Sequence, residues 1–486
     1  MAPPSSAPSS NGEYYKNDKM DRQPSVVESG LAQVTDGPVP QEGIVDGVFG
    51  EQAQDGKGPN YRSVGWVSTS ILLIKAQIGL GVLNIPDVFH TLGLGPGIIC
   101  LLVIGFITSW TDYYIGVFKL KHPEVYSVGD CGRLMYGRVG GELFFGMVWL
   151  LFTCIAGSAL LGISTALNAI SLHGTCTAVF VAIAAVVTVP IAALRTLGGI
   201  KWIGWIGVAS MVVSILLVTI AVGAGGRPSL APQEGPVNLD LVMWGNPTFA
   251  EAMNALGNLV FAFAGTSIFL PIASEMRDPR EYPKAVALCQ SFVTTFYLVV
   301  GVVVYMYAGQ YVASPALGTA GVLIKRVAYG LALPGLFAAA IILSHLAAKM
   351  IFVRVLRNSR HLTQSTPTHW FSWLGCVIGC VLFAYIIASA IPVFSGLVGL
   401  VGALFGSFLS FNAEALMYLY DHWAKSKDSA TRTWKLTSMI VFNILINVIG
   451  ALLIVGGAYG SIITIRDSYA ENGGRAFTCT DNSGSV

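Results

Sequence analysis

Eleven apolar runs, each long enough to cross a bilayer, constrain this chain more than any other feature. A hydrocarbon core about 30 Å thick requires about 20 mostly apolar residues per helix. The chain is 54% hydrophobic and 11% charged, whereas soluble domains are roughly 25% charged. The sequence therefore predicts an all-α polytopic membrane protein. The runs lie approximately at residues 66–90, 93–117, 142–170, 176–194, 202–223, 248–274, 283–309, 332–355, 370–391, 394–420 and 436–459.

Lysine and arginine are distributed unevenly between the loops on the two sides of these spans. With a cytoplasmic N-terminus, 22 of the 28 fall in inner loops or at the inner ends of spans, five fall outside, and Lys75 lies within the first span. Because cytoplasmic loops carry the excess of Lys and Arg, we expect the N-terminus inside and, after eleven spans, the C-terminus outside. The net charge of +2 gives no indication of a nucleic-acid partner.

The segments outside the spans are short. Residues 1–60 are rich in Pro, Ser and Gly without an amphipathic period, which is typical of a disordered cytoplasmic tail, and they contain no signal peptide. Residues 461–486 form a short extracellular tail after a transmembrane domain at 61–460. This topology places Cys176 and Cys479 on the same outer side, which would allow a disulfide. Neither a soluble catalytic domain nor a nucleotide-binding, zinc-protease or hydrolase motif is present, so we expect no enzyme and no cofactor or metal.

The first span, KAQIGLGVLNIPDVF in part, contains helix breakers. In hydrocarbon every backbone polar group must be paired, so a broken helix is tolerated only where protein buries it or where it lines a cavity. Gly79 and Gly81 would let a ligand approach the backbone, and Pro86 would begin a second half-helix. The amides at that start favour a carboxylate, and the carbonyls before it favour an ammonium or a cation. The alternative is that these residues serve helix packing only.

A second interrupted segment, FAFAGTSIFLPIASEM, lies five spans later and contains Gly265 and Pro271. Matching breaks in two halves indicate an inverted-repeat transporter, because an odd number of spans makes the second copy enter from the opposite side. The repeats would cover residues 66–223 and 248–420. The helix at 436–459 lies outside them.

The pattern IGLGVLNIP at residues 78–86, the span count and the segment FAGTSIFLP resemble the amino acid/auxin permease (AAAP) family. More narrowly, residues 60–460 are similar to fungal neutral amino acid permeases of the Neurospora N system type. The resemblance implies a LeuT-like fold of five plus five helices, with helices 1 and 6 broken. It also implies cation-coupled amino acid uptake, in which spans 1, 2, 6 and 7 rock against the rest.

The resemblance also implies where the substrate backbone binds. Its carboxylate would meet the amides of residues 79–82, and its amine would meet carbonyls at the ends of the first halves. Phe261 and Phe263 would suit aromatic or large aliphatic side chains, although ordinary helix packing is the alternative for both. The implied substrate-binding residues are Ala76, Gln77, Ile78, Gly79, Gly81, Val82, Phe261, Ala262, Phe263, Ala264 and Gly265.

Lys75 is an ionisable residue inside a span, which by default indicates function and a buried partner. In sodium-coupled relatives an asparagine stands near this place. The Lys75 ammonium would replace the cation, either as a fixed charge or as a group that loses its proton; the alternative is a side chain that snorkels to the interface. Ser344 and His345, in the eighth span, would complete the cation site. His345 would be a proton relay or a hydrogen-bonded structural residue.

Other polar side chains in the spans also have two interpretations, one at the transport path and one structural. These are Glu251, Asn254, Asn258, Asn412 and Glu414, of which Glu414 would be a proton acceptor or one member of a structural pair. Asp112 and Glu275 are interpreted as gate or loop ion pairs. A stripe of small residues in the tenth span predicts close helix packing. The stripe consists of Gly396, Gly399, Gly402 and Gly406.

The residues and the resemblance together predict a proton-coupled symporter of neutral, aromatic and large aliphatic amino acids. The plasma membrane is preferred only because of the closer fungal resemblance. Its partners would be the amino acid, the proton and the lipid bilayer. A vacuolar exporter of the same family would share every motif. A non-transporting amino acid receptor would keep the binding break and need no coupling group.

Overall fold

The computed structural model describes residues 64–194, 197–225, 227–356, 359, 366–427, 433–471 and 476–484. The tail predicted at residues 1–60 lies outside them. Within the described residues the chain forms fourteen α-helices and no β-strand, which confirms the all-α class. They are α1 (Trp66–Gln77), α2 (Ile85–Leu92), α3 (Leu94–Lys121), α4 (Val128–Ser171), α5 (Thr177–Ala192), α6 (Leu197–Gly223), α7 (Phe249–Ala262), α8 (Phe269–Ser274), α9 (Tyr282–Ala308), α10 (Val322–Val355), α11 (Pro367–Ala390), α12 (Phe394–Val401), α13 (Glu414–Lys427) and α14 (Trp434–Glu471).

Each of the eleven predicted spans falls on one or more of these helices. In the described part of the chain nine spans are long and apolar enough to cross a membrane on their own. A tenth is the pair formed by α1 and the segment Leu80–Leu92, which are bent by 46°. The predicted fourth span is α5, whose 16 residues fall short of the length of about 20 that a perpendicular helix needs.

Both predicted breaks are present. The helix α1 ends at Gln77, Gly79 leaves the helical conformation at φ −159° and ψ −134°, and a 3₁₀ turn (Leu80–Asn84) leads into α2. Pro86 lies in the first turn of α2, where its missing N–H is harmless. In the sixth span α7 ends at Ala262, and a 3₁₀ turn (Ala264–Ile268) leads into α8. We call residues 78–84 the first break and residues 263–268 the second break.

The two broken spans pack against each other in opposite directions. A Cβ atom built at Gly81 would lie 2.3 Å from Cα of Ala262, and one built at Gly265 would lie 2.6 Å from the Ala76 carbonyl oxygen. The start of each broken segment thus meets the end of the other. This antiparallel contact is the one that an inverted repeat requires.

The predicted glycine stripe brings the tenth span close to α7. A Cβ atom at Gly402 would lie 2.0 Å from the Gly257 carbonyl oxygen, and one at Gly257 would lie 2.6 Å from the Gly399 carbonyl oxygen. The prediction of close packing is therefore confirmed. Beyond α12 this span continues through two π-helical segments, Gly402–Gly406 and Phe408–Ala413, before α13 begins at Glu414.

The C-terminal part differs from the sequence-based boundaries. The helix α14 continues to Glu471, beyond the predicted end at 459; the added turns contain Gly460 but no proline. Residues 476–484 then return to the helical body, where a disulfide joins Cys479 to Cys176. Thr177 donates a hydrogen bond to the Thr480 carbonyl at 2.6 Å. We call residues 477–484 the C-terminal strap.

Candidate functional site

A buried tyrosine connects the two breaks. The hydroxyl oxygen of Tyr297, on α9, lies 2.9 Å from the Gln77 carbonyl oxygen and 2.9 Å from that of Ala262. These carbonyls end α1 and α7, where the last turn of a helix has no intrahelical donor for its oxygens. A phenol has one hydrogen to donate, so the two carbonyls share it. Sequence reasoning missed Tyr297, because a tyrosine within an apolar span has no local signature of this role.

The structure brings the predicted substrate residues of both breaks into one buried region. Ala76 and Gln77 contact Gly265, and Gly81 contacts Ala262. Ile78, Val82 and Ala264 are buried in the same region. Gly79 differs from the other two break glycines, because a Cβ atom there would meet nothing within 4 Å. In this structure the open space beside the backbone is therefore at Gly79, whereas Gly81 and Gly265 permit the breaks to touch.

The two phenylalanines before the second break pack at helix interfaces. The Phe263 ring meets the Tyr297 ring edge-on, with centroids 5.3 Å apart, and it borders Gly105 on α3. Phe261 lies against Gly402 in the tenth span. These contacts are the ones expected if both phenylalanines serve helix packing. Phe263 also follows directly after Ala262, whose carbonyl accepts from Tyr297.

Lys75 lies where α1 meets α6 and α10. Its ammonium nitrogen is 5.0 Å from the centre of the Trp205 ring, a cation–π contact. The space beside Gly204 is shared by this ammonium and by the side chain of Ile342 on α10. Lys75 is also in the last turn of α1, where the helix dipole favours a positive charge.

His345 has its contacts on other helices. Its Nδ1 atom lies 3.0 Å from the Ala192 carbonyl oxygen at the end of α5, and its ring meets that of Trp373 on α11 edge-on. The Nε2 atom is buried without a partner. Ser344 is buried beside it in the chain. His345 thus contacts α5 and α11, whereas the Lys75 ammonium lies beside Trp205 on α6.

A layer of amides joins the other end of the first break to α7. Asn84 donates to the Asn258 side-chain oxygen at 2.7 Å and accepts from Ser314 at 2.8 Å. Asn254 accepts a hydrogen bond from Ser461 of α14 at 2.8 Å. The predicted polar pair on α7 is therefore built into helix contacts between three spans.

Asp112 does not form the predicted ion pair. The side chain is fully buried, and one carboxyl oxygen accepts a hydrogen bond from the Gln290 amide of α9. Among the described residues no cation forms a salt bridge with it. The expectation was wrong because the sequence does not show that α3 turns this carboxyl towards α9 and α13.

Comparisons with known proteins agree with this architecture. Residues 62–463 match the family model described as transmembrane amino acid transporter protein. A transmembrane transporter of Fusarium pseudograminearum is 33% identical over 93% of this chain and 94% of its own length. The N amino acid transport system protein of Neurospora crassa is 34% identical over 86% and 88%. Vacuolar amino acid transporter 3 of Saccharomyces cerevisiae is 23% identical over 85% of this chain and 58% of its own length.

A solved structure shares the fold. A transporter of the nucleobase-cation-symport-1 family, in a closed conformation with bromovinylhydantoin bound, superposes with a TM-score of 0.51 at 14% identity. The match covers 89% of this chain and all of that one. With the paired breaks described above, it confirms the predicted LeuT-like fold. The family match and the extensive fungal relatives confirm the resemblance read from the breaks, and the chain belongs to the transmembrane amino acid transporter family.

Proposed function

We propose that this amino acid transporter is a proton-coupled symporter of neutral amino acids, with aromatic and large aliphatic side chains preferred. The observation that carries the proposal is the pair of antiparallel breaks with open space at Gly79. Broken helices at mid-membrane provide amides for a carboxylate and carbonyls for an ammonium, and together these fit a zwitterion. One proton per turnover would make the uptake of a zwitterion electrogenic.

The substrate ammonium would bind at the carbonyls of Gln77 and Ala262. In this structure the Tyr297 hydroxyl lies 2.9 Å from each of those two oxygens. An ammonium has three donors and a positive charge, so it satisfies both carbonyls where a phenol satisfies one. The carboxylate would then lie near Gly79 and the start of the second half-helix.

Lys75 would act as a fixed positive charge in place of a bound metal cation. Support comes from its position at the junction of α1, α6 and α10, next to the first break. A permanent charge there removes the need for sodium and leaves the proton as the driving ion. Ser344 and His345 remain predicted members of this region.

Uptake into proteoliposomes tests the proposal. Labelled phenylalanine, leucine and arginine are offered in sodium-free buffer, with and without an inward proton gradient. We expect the gradient to stimulate uptake of phenylalanine and leucine but not of arginine. Uptake that ignores the proton gradient but is driven by an inward sodium gradient in a parallel assay, or binding without accumulation, would refute proton symport and favour another driving ion or a receptor.

For the orientation we propose a cytoplasmic N-terminus and a C-terminus on the opposite side. The charge distribution supports it, as does the disulfide between Cys176 and Cys479, since disulfides persist in oxidising compartments. The plasma membrane is preferred through similarity to the Neurospora N system protein, and the vacuolar relatives make a vacuolar exporter the second candidate. Imaging a tagged chain and measuring uptake by whole cells would separate the two.

A further inference from the structure

Two carboxyl side chains are buried together near the second break. Asp112 on α3 is 0% exposed and Glu414 at the start of α13 is 4% exposed. Thr111, the neighbour of Asp112, donates a hydrogen bond to the carbonyl of Ser410 in the turn before Glu414, which brings the two carboxyl groups into the same region. Both also lie near the Tyr282 hydroxyl of α9. The Tyr282 ring packs on Gly116, one turn beyond Asp112, which holds the three groups in one cluster. We call Asp112 and Glu414 the carboxyl pair.

Several polar atoms of this cluster lack a hydrogen-bond partner. Gln290 donates to one oxygen of Asp112, whereas the other oxygen of Asp112, one oxygen of Glu414 and the Tyr282 hydroxyl have none. A buried carboxylate without compensation is very costly, and two adjacent carboxylates do not both ionise readily. The unpaired atoms therefore indicate that the pair carries at least one proton in this conformation.

The titratable groups that face the pair do not supply a compensating charge. They are Tyr282 and Cys289 on α9 and Cys131 on α4, all neutral when protonated. Lys119, two turns beyond Asp112 on α3, donates to the carbonyls of Pro123 and Val125 at 2.8 and 2.7 Å. A proton on the pair, which removes one of its two negative charges, is thus the simplest way to lower the cost of burying it.

Two hydroxyls connect the Glu414 end of the cluster to other elements. Thr111 and Thr266 both lie beside the Glu414 carboxyl. Thr111, on α3, donates a hydrogen bond to the Ser410 carbonyl at 2.9 Å, and Thr266 lies in the second break. The surroundings of Glu414 therefore depend on the positions of α3 and of the second break.

The pair is also connected to the elements expected to move. Thr266 belongs to the second break, and its hydroxyl lies 2.8 Å from that of Ser410 in the tenth span. Gln290 lines a groove of about 470 Å³ between α3 and α9, together with the hydroxyls of Ser109 and Thr294. A shift of the second break would remove Thr266 from Glu414 and open the cluster to water.

We propose that the carboxyl pair is the site that carries the coupling proton, an assignment that rests on the proposed proton symport. With the second break packed on the tenth span, the carboxyl pair holds one proton. When that break moves, water accepts the proton, the O–H bond breaks, and its electron pair stays on the carboxylate, which is then hydrated. Substrate release and proton release are coupled because both depend on the same break.

The test uses Asp112→Asn and Glu414→Gln, which mimic the protonated state, in the full-length chain in proteoliposomes. For one coupled proton, a gradient of about one pH unit supports up to about tenfold accumulation of phenylalanine in the wild type. We expect both variants to lose that accumulation. Exchange of labelled for unlabelled phenylalanine without a gradient should persist, since exchange does not require deprotonation. The control is Glu234→Gln, which removes an exposed carboxyl in the loop between α6 and α7, outside the pair and the breaks.

Conservative variants distinguish a loss of proton coupling from misfolding. If the amide variants also lose exchange, Asp112→Glu and Glu414→Asp, which keep a titratable carboxyl, should restore gradient-driven accumulation. Accumulation by Asp112→Asn and Glu414→Gln at the wild-type level would overturn the assignment and leave proton symport intact. The assignment would also be overturned if Asp112→Glu and Glu414→Asp were as inactive as the amide variants. If the wild type itself ignores the gradient, the proposed symport fails instead.

Discussion

The hydroxyl of Tyr297 is the residue-scale detail that most directly connects the breaks to substrate binding. It lies between two carbonyls that face each other across the broken helices. Gly and Pro in the sequence revealed the breaks, because those residues act on the backbone where they stand. The role of Tyr297 was not predictable, since it depends on which face of α9 meets both breaks.

Replacing Tyr297 with Phe leaves two buried carbonyls without their shared donor. Each unsatisfied buried group costs about 1–3 kcal/mol. We expect the variant to melt at a lower temperature than the wild type without substrate, and the difference to shrink in saturating phenylalanine, whose ammonium would take the carbonyls. Thermal unfolding in detergent measures both. The control is Tyr305→Phe, whose hydroxyl contacts Val242 instead. An equal loss with and without phenylalanine would argue against the ammonium site.

The proposed fixed charge of Lys75 can be tested by substitutions that keep or remove the positive charge. Because arginine keeps its proton at any physiological pH, Lys75→Arg preserves a fixed charge and removes a proton carrier. We expect Lys75→Arg to retain gradient-driven phenylalanine uptake and Lys75→Asn to lose it, as measured in sodium-free proteoliposomes. Uptake by Lys75→Asn that matches the wild type would show that Lys75 only anchors the helix. Failure of Lys75→Arg, with substrate exchange intact, would favour a lysine that releases its proton.

At the scale of secondary-structure elements, the tenth span and α7 pack closely because glycines form their contact. The stripe in the tenth span was predictable from its spacing of three and four residues. Its partner was not, because Gly257 on α7 has no pattern that singles it out in sequence. The same limit explains Asp112, whose carboxyl could be placed on α3 but not on one of its faces.

Gly402→Ala should disturb this contact. The added methyl would lie 2.0 Å from the Gly257 carbonyl oxygen, so the helices must move apart. Overpacking of this kind costs about 1–3 kcal/mol, and we expect a lower melting temperature and slower uptake. Gly379→Ala on α11 is the matched control, because its added methyl meets nothing within 4 Å. If the two variants melt together, the close approach is not important for stability.

At the scale of the whole molecule the bilayer made the fold predictable. Its thickness fixes the length of each span, and it forbids unpaired backbone outside protected breaks, so span number and break positions follow from apolar runs and from Gly and Pro. The ends were less predictable. The sequence allowed a disulfide between Cys176 and Cys479 but did not indicate that α14 reaches Glu471. The return of the C-terminal strap depends on contacts between residues about 300 positions apart.

The disulfide should stabilise the whole chain. It closes a loop of 303 residues, and native disulfides typically contribute about 2–5 kcal/mol. We expect Cys176→Ser to lower the melting temperature and a reductant to lower that of the wild type but not of the variant. Cys376→Ser, at a free cysteine on α11, is the control. A melting temperature of the wild type that does not respond to reductant, with the bond shown to be reduced, would contradict this role.

The C-terminal strap contacts a particular set of helices. Asn482 bonds to Ser164 of α4, Thr480 accepts from Thr177 of α5, Ser483 accepts from Lys325 of α10, and the Phe477 amide donates to Ser389 of α11. These are spans 3, 4, 8 and 9, none of which belongs to the bundle expected to rock. A fluorophore attached to the strap would therefore serve as a stationary reference, against which a second label on α2 would report the opening and closing of a single molecule as a change in distance.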